Sequence, residues 1–192
     1  MVGLIQKLFF KMAYELGGED AVISIKKEAG VPVDKDFQIN IVYSDEEWQR
    51  ILAAGLKILN VTPEQADVAY ADCFAKDALE RFPNWFQMSK NSYEFLLIQP
   101  TIHNCFATAV VDANERKDIN DKFKVDKLKN KIITHYVSPN KLCGLYKALA
   151  EWMINHYKDE ADIEEVKCLK KGDKECEIHI QWSKLNGQPV EA

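Results

Sequence analysis

Three groups of residues in this sequence have the types and spacing to do chemistry. The first is a lone imidazole, His103, inside the apolar stretch Asn91–Val110, NSYEFLLIQPTIHNCFATAV. At helical spacing Leu96, Gln99, His103, Phe106 and Val110 share one face. An imidazole on such a face either finds a hydrogen-bond partner or binds something, and taken alone the satisfied core histidine is the simpler reading. The second group is Tyr136-Val137-Ser138-Pro139-Asn140-Lys141, where a strand pattern gives way to a helix. Alternation puts Tyr136 and Ser138 on one side, so two hydroxyls and a helix N-terminus converge in a way that suits a carboxylate or phosphate. The plainer alternative is a tyrosine-capped turn with Ser138 or Asn140 as N-cap. The third group is Cys143, Cys168 and Cys176. Cys168-x7-Cys176 brackets a hairpin turn, and Cys143 falls in the first turn of the preceding helix. Thiolates gathered this way suit zinc, and without metal they suit a redox pair. Cys73 and Cys105 sit on apolar helical faces and read as core. His135, His156 and His179 have no partner pattern and read as surface or structural.

The elements that must position these groups fall in a clear order. Leu4, Ile5, Leu8, Phe9, Met12, Ala13 and Leu16 trace a helical stripe that Gly17-Gly18 ends, and a short second helix runs near Ala21–Glu28. Ser44-Asp45-Glu46-Glu47 reads as a capping box ahead of the Trp48 to Leu59 stripe. Thr62-Pro63-Glu64-Gln65 repeats the start signal, and Phe82-Pro83 breaks the helix that follows. The His103 helix spans Asn91–Val110 with Pro100 inside it, where the lost amide donor predicts a kink or rearrangement. Strands are expected at Phe123–Val125 and Ile132–Val137, turning near Lys129-Asn130, and a helix opens at Pro139-Asn140 and runs to Tyr157. Two more strands follow, about Ile163–Leu169 and Glu175–Ser183, and alternation turns Cys176 inward. Helices first, then two hairpins flanking one helix, make an α+β domain.

The chain's 192 residues suffice for one filled core or two small lobes, and its net charge of −5 gives no case for nucleic acid or an anionic membrane. The apolar start is too short for a signal peptide, and no apolar run spans a membrane, so a cytoplasmic protein with reduced thiols is expected. No nucleophile–base pair, carboxylate pair or phosphate loop points to an enzyme.

With these residues in place, the sequence resembles the H-NOX family, the haem nitric oxide/oxygen-binding domains related to the sensor part of soluble guanylate cyclase. The resemblance begins at Met1-Val2-Gly3-Leu4-Ile5, passes through Phe82-Pro83 into the His103 helix, resumes at Tyr136-Val137-Ser138 and ends with the terminal hairpin. It implies an H-NOX fold, with an N-terminal helical lobe over about 1–65 and a C-terminal lobe of antiparallel strands and long helices over about 66–185. It implies haem b with His103 as axial ligand, near Pro100, and propionates held by a Tyr-x-Ser-x-Arg motif that here reads Tyr136, Ser138 and Asn140. Asparagine offers only neutral hydrogen bonds where arginine offers a bidentate charged pair, a loss of roughly 1–3 kcal/mol.

The positions matching the family's distal pocket are Ile5, Phe9, Phe74 and Leu145. None of the four can donate a hydrogen bond to dioxygen, so the resemblance implies a sensor that binds NO and CO and excludes oxygen. Some members hold a structural zinc with three cysteines and a histidine three residues before the second. That position is Glu165 here, and strict alternation puts it on the opposite strand face from Cys168. The chain carries no output domain, so the resemblance implies a separate partner, a histidine kinase or a cyclic-di-nucleotide enzyme, reached by displacement of the His103 helix. The alternatives are a haem-free small-molecule module of the same fold, and a thiol or zinc redox sensor centred on the three cysteines.

Overall fold

Helix-forming stripes fill the first part of the chain and alternating strands the last, and the computed structural model is α+β accordingly. It describes residues 2–110, 113–120 and 122–190. Contacts divide the chain into two compact units, Met1–Phe74 and Ala75–Ala192. The division falls within a helix, farther along the chain than the lobe boundary expected near residue 65.

The first unit is helical. α1 spans Gly3–Glu28, but Gly18 leaves helical geometry at φ 70 and ψ −168, so the stripe ends where the glycine pair stands and a second segment follows. α2 spans Asp45–Leu59, capped by Ser44, whose Oγ accepts the Glu47 N–H at 3.1 Å. The Glu47 carboxylate does not complete the box, because it takes Lys35 Nζ at 2.7 and 2.9 Å instead. α3 spans Pro63–Arg81 and does have a full reciprocal box: Thr62 Oγ1 accepts from Gln65 N–H, and Gln65 Oε1 accepts from Thr62 N–H. Phe9, Met12, Ile25, Phe37, Trp48 and Ile51 form the centre of this unit, each almost fully buried.

The second unit packs helices on a sheet. α4 (Pro83–Gln87) leads to α5 (Ser92–Cys105), whose last turns tighten into a 3-10 segment at Phe106–Ala109. The expected helix over Asn91–Val110 is therefore shorter than read, although Pro100 is accommodated within it. α6 (Ala113–Asn120) lies in the charged stretch where sequence showed no helix. β1 (Phe123–Leu128) and β2 (Lys131–Tyr136) make the expected hairpin, with Asn130 left-handed at φ 55. α7 (Cys143–His156), β3 (Glu160–Lys167), β4 (Cys176–Leu185) and the short β5 (Gln188–Pro189) complete it. All pairings are antiparallel, in the order β1-β2-β4-β3, with β5 turned back on the end of β4. Alternation buries Ile132, Thr134 and Tyr136 of β2 and Cys176, Ile178, Ile180 and Trp182 of β4 against α5 and α7.

Candidate functional site

His103 is positioned by a helix whose N-terminal end is tied down. Asn91 Oδ1 accepts the Glu94 N–H at 2.9 Å. Asp159, just past α7, accepts both Ser92 N–H (2.7 Å) and Ser92 Oγ–H (2.6 Å) with one oxygen and Asn186 N–H (2.7 Å) with the other. Ser92 Oγ in turn accepts the Trp182 indole N–H at 2.8 Å. A carboxylate at a helix N-terminus also meets the positive end of its dipole. This end of α5 is thus locked to the sheet by a buried network in which each member has a partner.

At the other end the pattern reverses. The His103 Nδ1 is buried with no hydrogen-bond partner, as is Gln99 Oε1 one turn earlier. Burial, and then the nearby Lys122 charge, outweigh the hydrogen bond that the ring makes to Asn104 and push the imidazole down to about 4. His103 is therefore neutral at pH 7, with a lone pair free for a Lewis acid. Its ring packs edge-on against Phe123, centroids 4.9 Å apart, and Phe123 lies 4.8 Å from the Tyr136 ring and 5.6 Å from that of Tyr146. Phe123 brings the first two predicted groups into one cluster; sequence showed it as a strand residue and nothing more. Leu96 and Val110 are buried as expected, while the Phe106 side chain lies outside the described residues. Cys105 is exposed, not core, because α5 gives way to the tighter segment directly after it.

The Tyr136–Lys141 segment corrects the sequence reading in one respect. Lys141 takes φ 49 and donates its N–H to Ser138 O at 3.2 Å, closing a turn, so α7 begins at Cys143 and neither Ser138 nor Asn140 caps it. The cap comes from farther back: the Tyr136 hydroxyl accepts the Leu142 N–H at 3.2 Å. Ser138 Oγ accepts the Asn140 N–H at 3.3 Å and also hydrogen-bonds Tyr136. Burial pushes the Tyr136 phenol up to about 12, so it keeps its proton and can donate. Tyr146 is held neutral in the same way, its hydroxyl 2.6 Å from Thr134 Oγ1.

In the first unit, Ile5 and Phe9 stand one turn apart on α1, and Phe74 stands on α3. Phe9 is wedged edge-on between Trp48 (5.4 Å) and Tyr70 (5.8 Å). It leaves no room for a side chain at Gly55, where a Cβ would collide with its ring. The Tyr70 hydroxyl is already given to the Ile5 carbonyl at 2.6 Å. Gln6 is a residue the sequence reading passed over: fully buried, with neither amide atom partnered, like the Trp48 indole N–H. Leu145, in the first turn of α7 in the second unit, is buried and apolar.

The third group does converge. Ligand atoms of Cys143, Glu165, Cys168 and Cys176 all lie within 4.8 Å of one another, and the Cys143 and Cys168 sulfurs are 3.8 Å apart. Strict alternation fails from Glu165 to Cys168 because the pairing shifts between Glu165 and Lys167: Glu165 faces Ile178, while Lys167 already faces Glu177. Glu165 keeps the inward phase of Ile163, and the bulge beyond it brings Cys168 round to the same side. Lys147 Nζ holds Glu165 Oε2 at 3.2 Å, while Oε1 is buried without a partner. Burial opposes ionisation of Glu165, yet hydrogen bonds from Lys147 and Cys168 win and hold it below the usual carboxylate range. Burial and then the neighbouring Cys176 and Cys168 push the Cys143 thiol well up, and burial raises that of Cys176. The Leu169 N–H points at Cys176 Sγ, 3.2 Å away.

Residues 2–165 match the family model described as Haem-NO-binding. The chain belongs to that family. Solved structures agree in fold. An oxygen-binding H-NOX domain related to soluble guanylate cyclases, in its oxygen complex, superposes with a TM-score of 0.75 at 21% identity, covering 100% of both chains. The I5F mutant of T. tengcongensis H-NOX gives a TM-score of 0.78 at 22% identity, again over 100% of both chains. The Fe(II)NO form of an H-NOX protein from S. oneidensis gives 0.74 at 18% identity, over 95% of this chain and 99% of that one. No curated protein matches this chain. The chain thus has the H-NOX fold and falls in a family of haem-based gas sensors. No described helix is long and apolar enough to cross a membrane.

The H-NOX residues present fit a haem. A neutral, half-buried imidazole with a buried, orphaned nitrogen suits iron. Two neutral hydroxyl donors and a short buried turn suit propionates, although Asn140 brings no charge.

Proposed function

We propose that this H-NOX chain holds haem b through His103 and responds to NO and CO while excluding oxygen. The observation that carries the reading is the buried, partnerless Nδ1 of a neutral, half-buried His103 near the C-terminal end of α5. A fully satisfied core histidine would partner both ring nitrogens; here the ring has its hydrogen bond with Asn104, and Nδ1 has none. When bound, the haem supplies a ferrous iron that accepts a diatomic gas. The chain's residues do the rest: His103 ligates, Tyr136 and Ser138 hydrogen-bond the propionates with Asn140 beside them, and Phe123 and Pro100 shape the wall around the imidazole. Ile5, Phe9, Phe74 and Leu145 have no side-chain donor for a polarised ligand, and the Tyr70 hydroxyl already donates its hydrogen bond to the Ile5 carbonyl. Gln6 lies about 100° around α1 from Ile5, in line with Phe10 and Ala13, so it belongs to another row of the helix.

Signalling follows from the two ends of α5. A bound haem would tether α5 through His103 at the end where His103 Nδ1 and Gln99 Oε1 have no partner, while the Asp159 network fixes the far end; loss of that tether would let α5 move about its N-terminus and change a surface read by a separate protein. A histidine kinase or a cyclic-di-nucleotide enzyme is the partner this reading carries.

Expression with haem supply and an absorption spectrum test the reading: a Soret band is expected, and a colourless protein would end it. Exposing the reduced protein to air tests the selectivity, since a stable oxygen complex would contradict it. A Gln6→Leu variant would then show whether the orphan amide is the missing donor.

The thiol cluster carries a second part of the reading, a structural zinc on Cys143, Cys168, Cys176 and Glu165, for which the unpartnered Glu165 Oε1 is the fourth donor. Metal removes the protons that burial now keeps on the thiols. About one zinc per chain in protein purified without chelators is expected; a trace amount would favour free thiols.

A further inference from the structure

The outer face of the same sheet carries a second set of ligand-type side chains that neither the haem nor the thiol cluster uses. Cys176, the first residue of β4, points inward, while Glu175 just before it and Glu177 just after it point out. His135 of β2 pairs directly with Glu177 across the strands. One ligand atom from each of His135, Glu175 and Glu177 lies within 4.8 Å of the others. We propose that these three side chains form a divalent-cation site on the outer sheet face, separate from the haem and thiol sites and independent of whether either is filled.

Three observations argue for it. The first is the orientation of His135. Its Nδ1 faces Glu175 at 3.3 Å, while its Nε2 faces Asp126 at 3.3 Å. A metal-binding histidine characteristically gives its second ring nitrogen to a carboxylate, which fixes the tautomer and leaves the first nitrogen for the ion. Asp126 fills that supporting role here, and His179 does the same for Glu177, with Nε2 at 2.8 Å from Oε1. The second observation is charge. Asp126, Glu175 and Glu177 set three carboxylates against the single ammonium of Lys167. The next cross-strand neighbours, Lys124 beside His135 and Glu164 beside His179, cancel each other. Two negative charges remain, the complement of a divalent ion. The third is that a cation already occupies the gap: Lys167 Nζ lies 2.6 Å from Glu177 Oε2 and 3.5 Å from Glu175 Oε1. Its side chain is 47% exposed, against 15% for Glu177 and 25% for His135, so the lysine can swing into water while the ligands stay put.

One imidazole, two carboxylates and open positions for water suit Mn²⁺, Fe²⁺, Co²⁺ or Zn²⁺; thiolates, by contrast, disfavour Mn²⁺. The ion would tie β2 to the end of β4, one residue from Tyr136 on one strand and on both sides of Cys176 on the other. It would thereby brace the propionate turn and the thiol hairpin from behind.

Manganese(II) is the probe, because its six-line solution EPR signal disappears on binding and the thiol cluster does not compete for it. The intact chain should remove one equivalent of Mn²⁺ from solution. His135→Ala should weaken binding about 10–100-fold, and Asp126→Asn should weaken it by the lower part of that range. Lys167→Met removes the resident competitor and should tighten binding about thirtyfold, the repulsion of one unit charge on a doubly charged ion about 4 Å away in water. A gain in affinity cannot arise from misfolding, so this variant keeps the test sharp even where His135→Ala disturbs the sheet. An unchanged Mn²⁺ signal with the intact chain overturns the site. Binding that His135→Ala leaves intact and Lys167→Met does not strengthen overturns it as well.

Discussion

The two ends of α5 are built on opposite principles. At the N-terminal end, Ser92, Asp159, Trp182 and Asn186 share short hydrogen bonds in a buried network. At the C-terminal end, His103 Nδ1 and Gln99 Oε1 are buried with no partner, and the helix tightens into a 3-10 turn before Val110. Buried polar groups normally find partners, because each one left alone costs about 1–3 kcal/mol. A satisfied end is a structural anchor. An unsatisfied end, next to an aromatic cluster, is where the proposed haem would bind.

That contrast can be broken from either side. The largest effect is expected at the anchor. Asp159→Ala strips the acceptor from Ser92 N–H, Ser92 Oγ–H and Asn186 N–H and should destabilise the haem-free protein by about 3–5 kcal/mol in a denaturant titration. A loss under about 1 kcal/mol would show that the network is not an anchor. The second effect belongs to His103 and depends on pH. Its folded value of about 4 lies below the ordinary 6.5, so above pH 6.5 it neither helps nor hurts folding. As pH falls from 6.5 to about 4 the unfolded chain takes up the proton first, and the haem-free protein should lose up to about 3 kcal/mol of stability. His103→Gln should flatten that part of the pH profile; an identical profile would mean that the imidazole is not the group responsible. A smaller effect is expected at the Tyr136–Lys141 turn, where Asn140→Arg adds a charged partner for a propionate and should slow haem loss by about 1–3 kcal/mol, read as transfer to apomyoglobin. No change would place the propionates elsewhere.

Much of this was legible in the sequence, for reasons that are local. Ser44, Thr62 and Pro63 announce helix starts, Gly18 a break, and Lys129-Asn130 a hairpin, because caps and turns are set by a few neighbouring residues. The family was legible through His103 and Tyr136-x-Ser138 together. What escaped depended on tertiary context. Glu165 was placed on the opposite face from Cys168 because a bulge adds a residue that alternation cannot foresee. The start of α7 was placed too early because Lys141 adopts a left-handed conformation that favours no particular reading from its side chain. α6 was missed because it presents little apolar surface; among its described side chains Ile119 alone is buried. Phe123, Asp159 and the His135 cluster were invisible as a group, since their partners are strands or helices away.

The central claim is that the unsatisfied end of α5 is held by iron. His103→Gly, purified and reconstituted with ferrous haem, tests it directly. Without added imidazole the variant should give no five-coordinate histidine-ligated spectrum, and free imidazole should restore the wild-type Soret band. A glycine variant with the wild-type spectrum before imidazole is added would contradict the account.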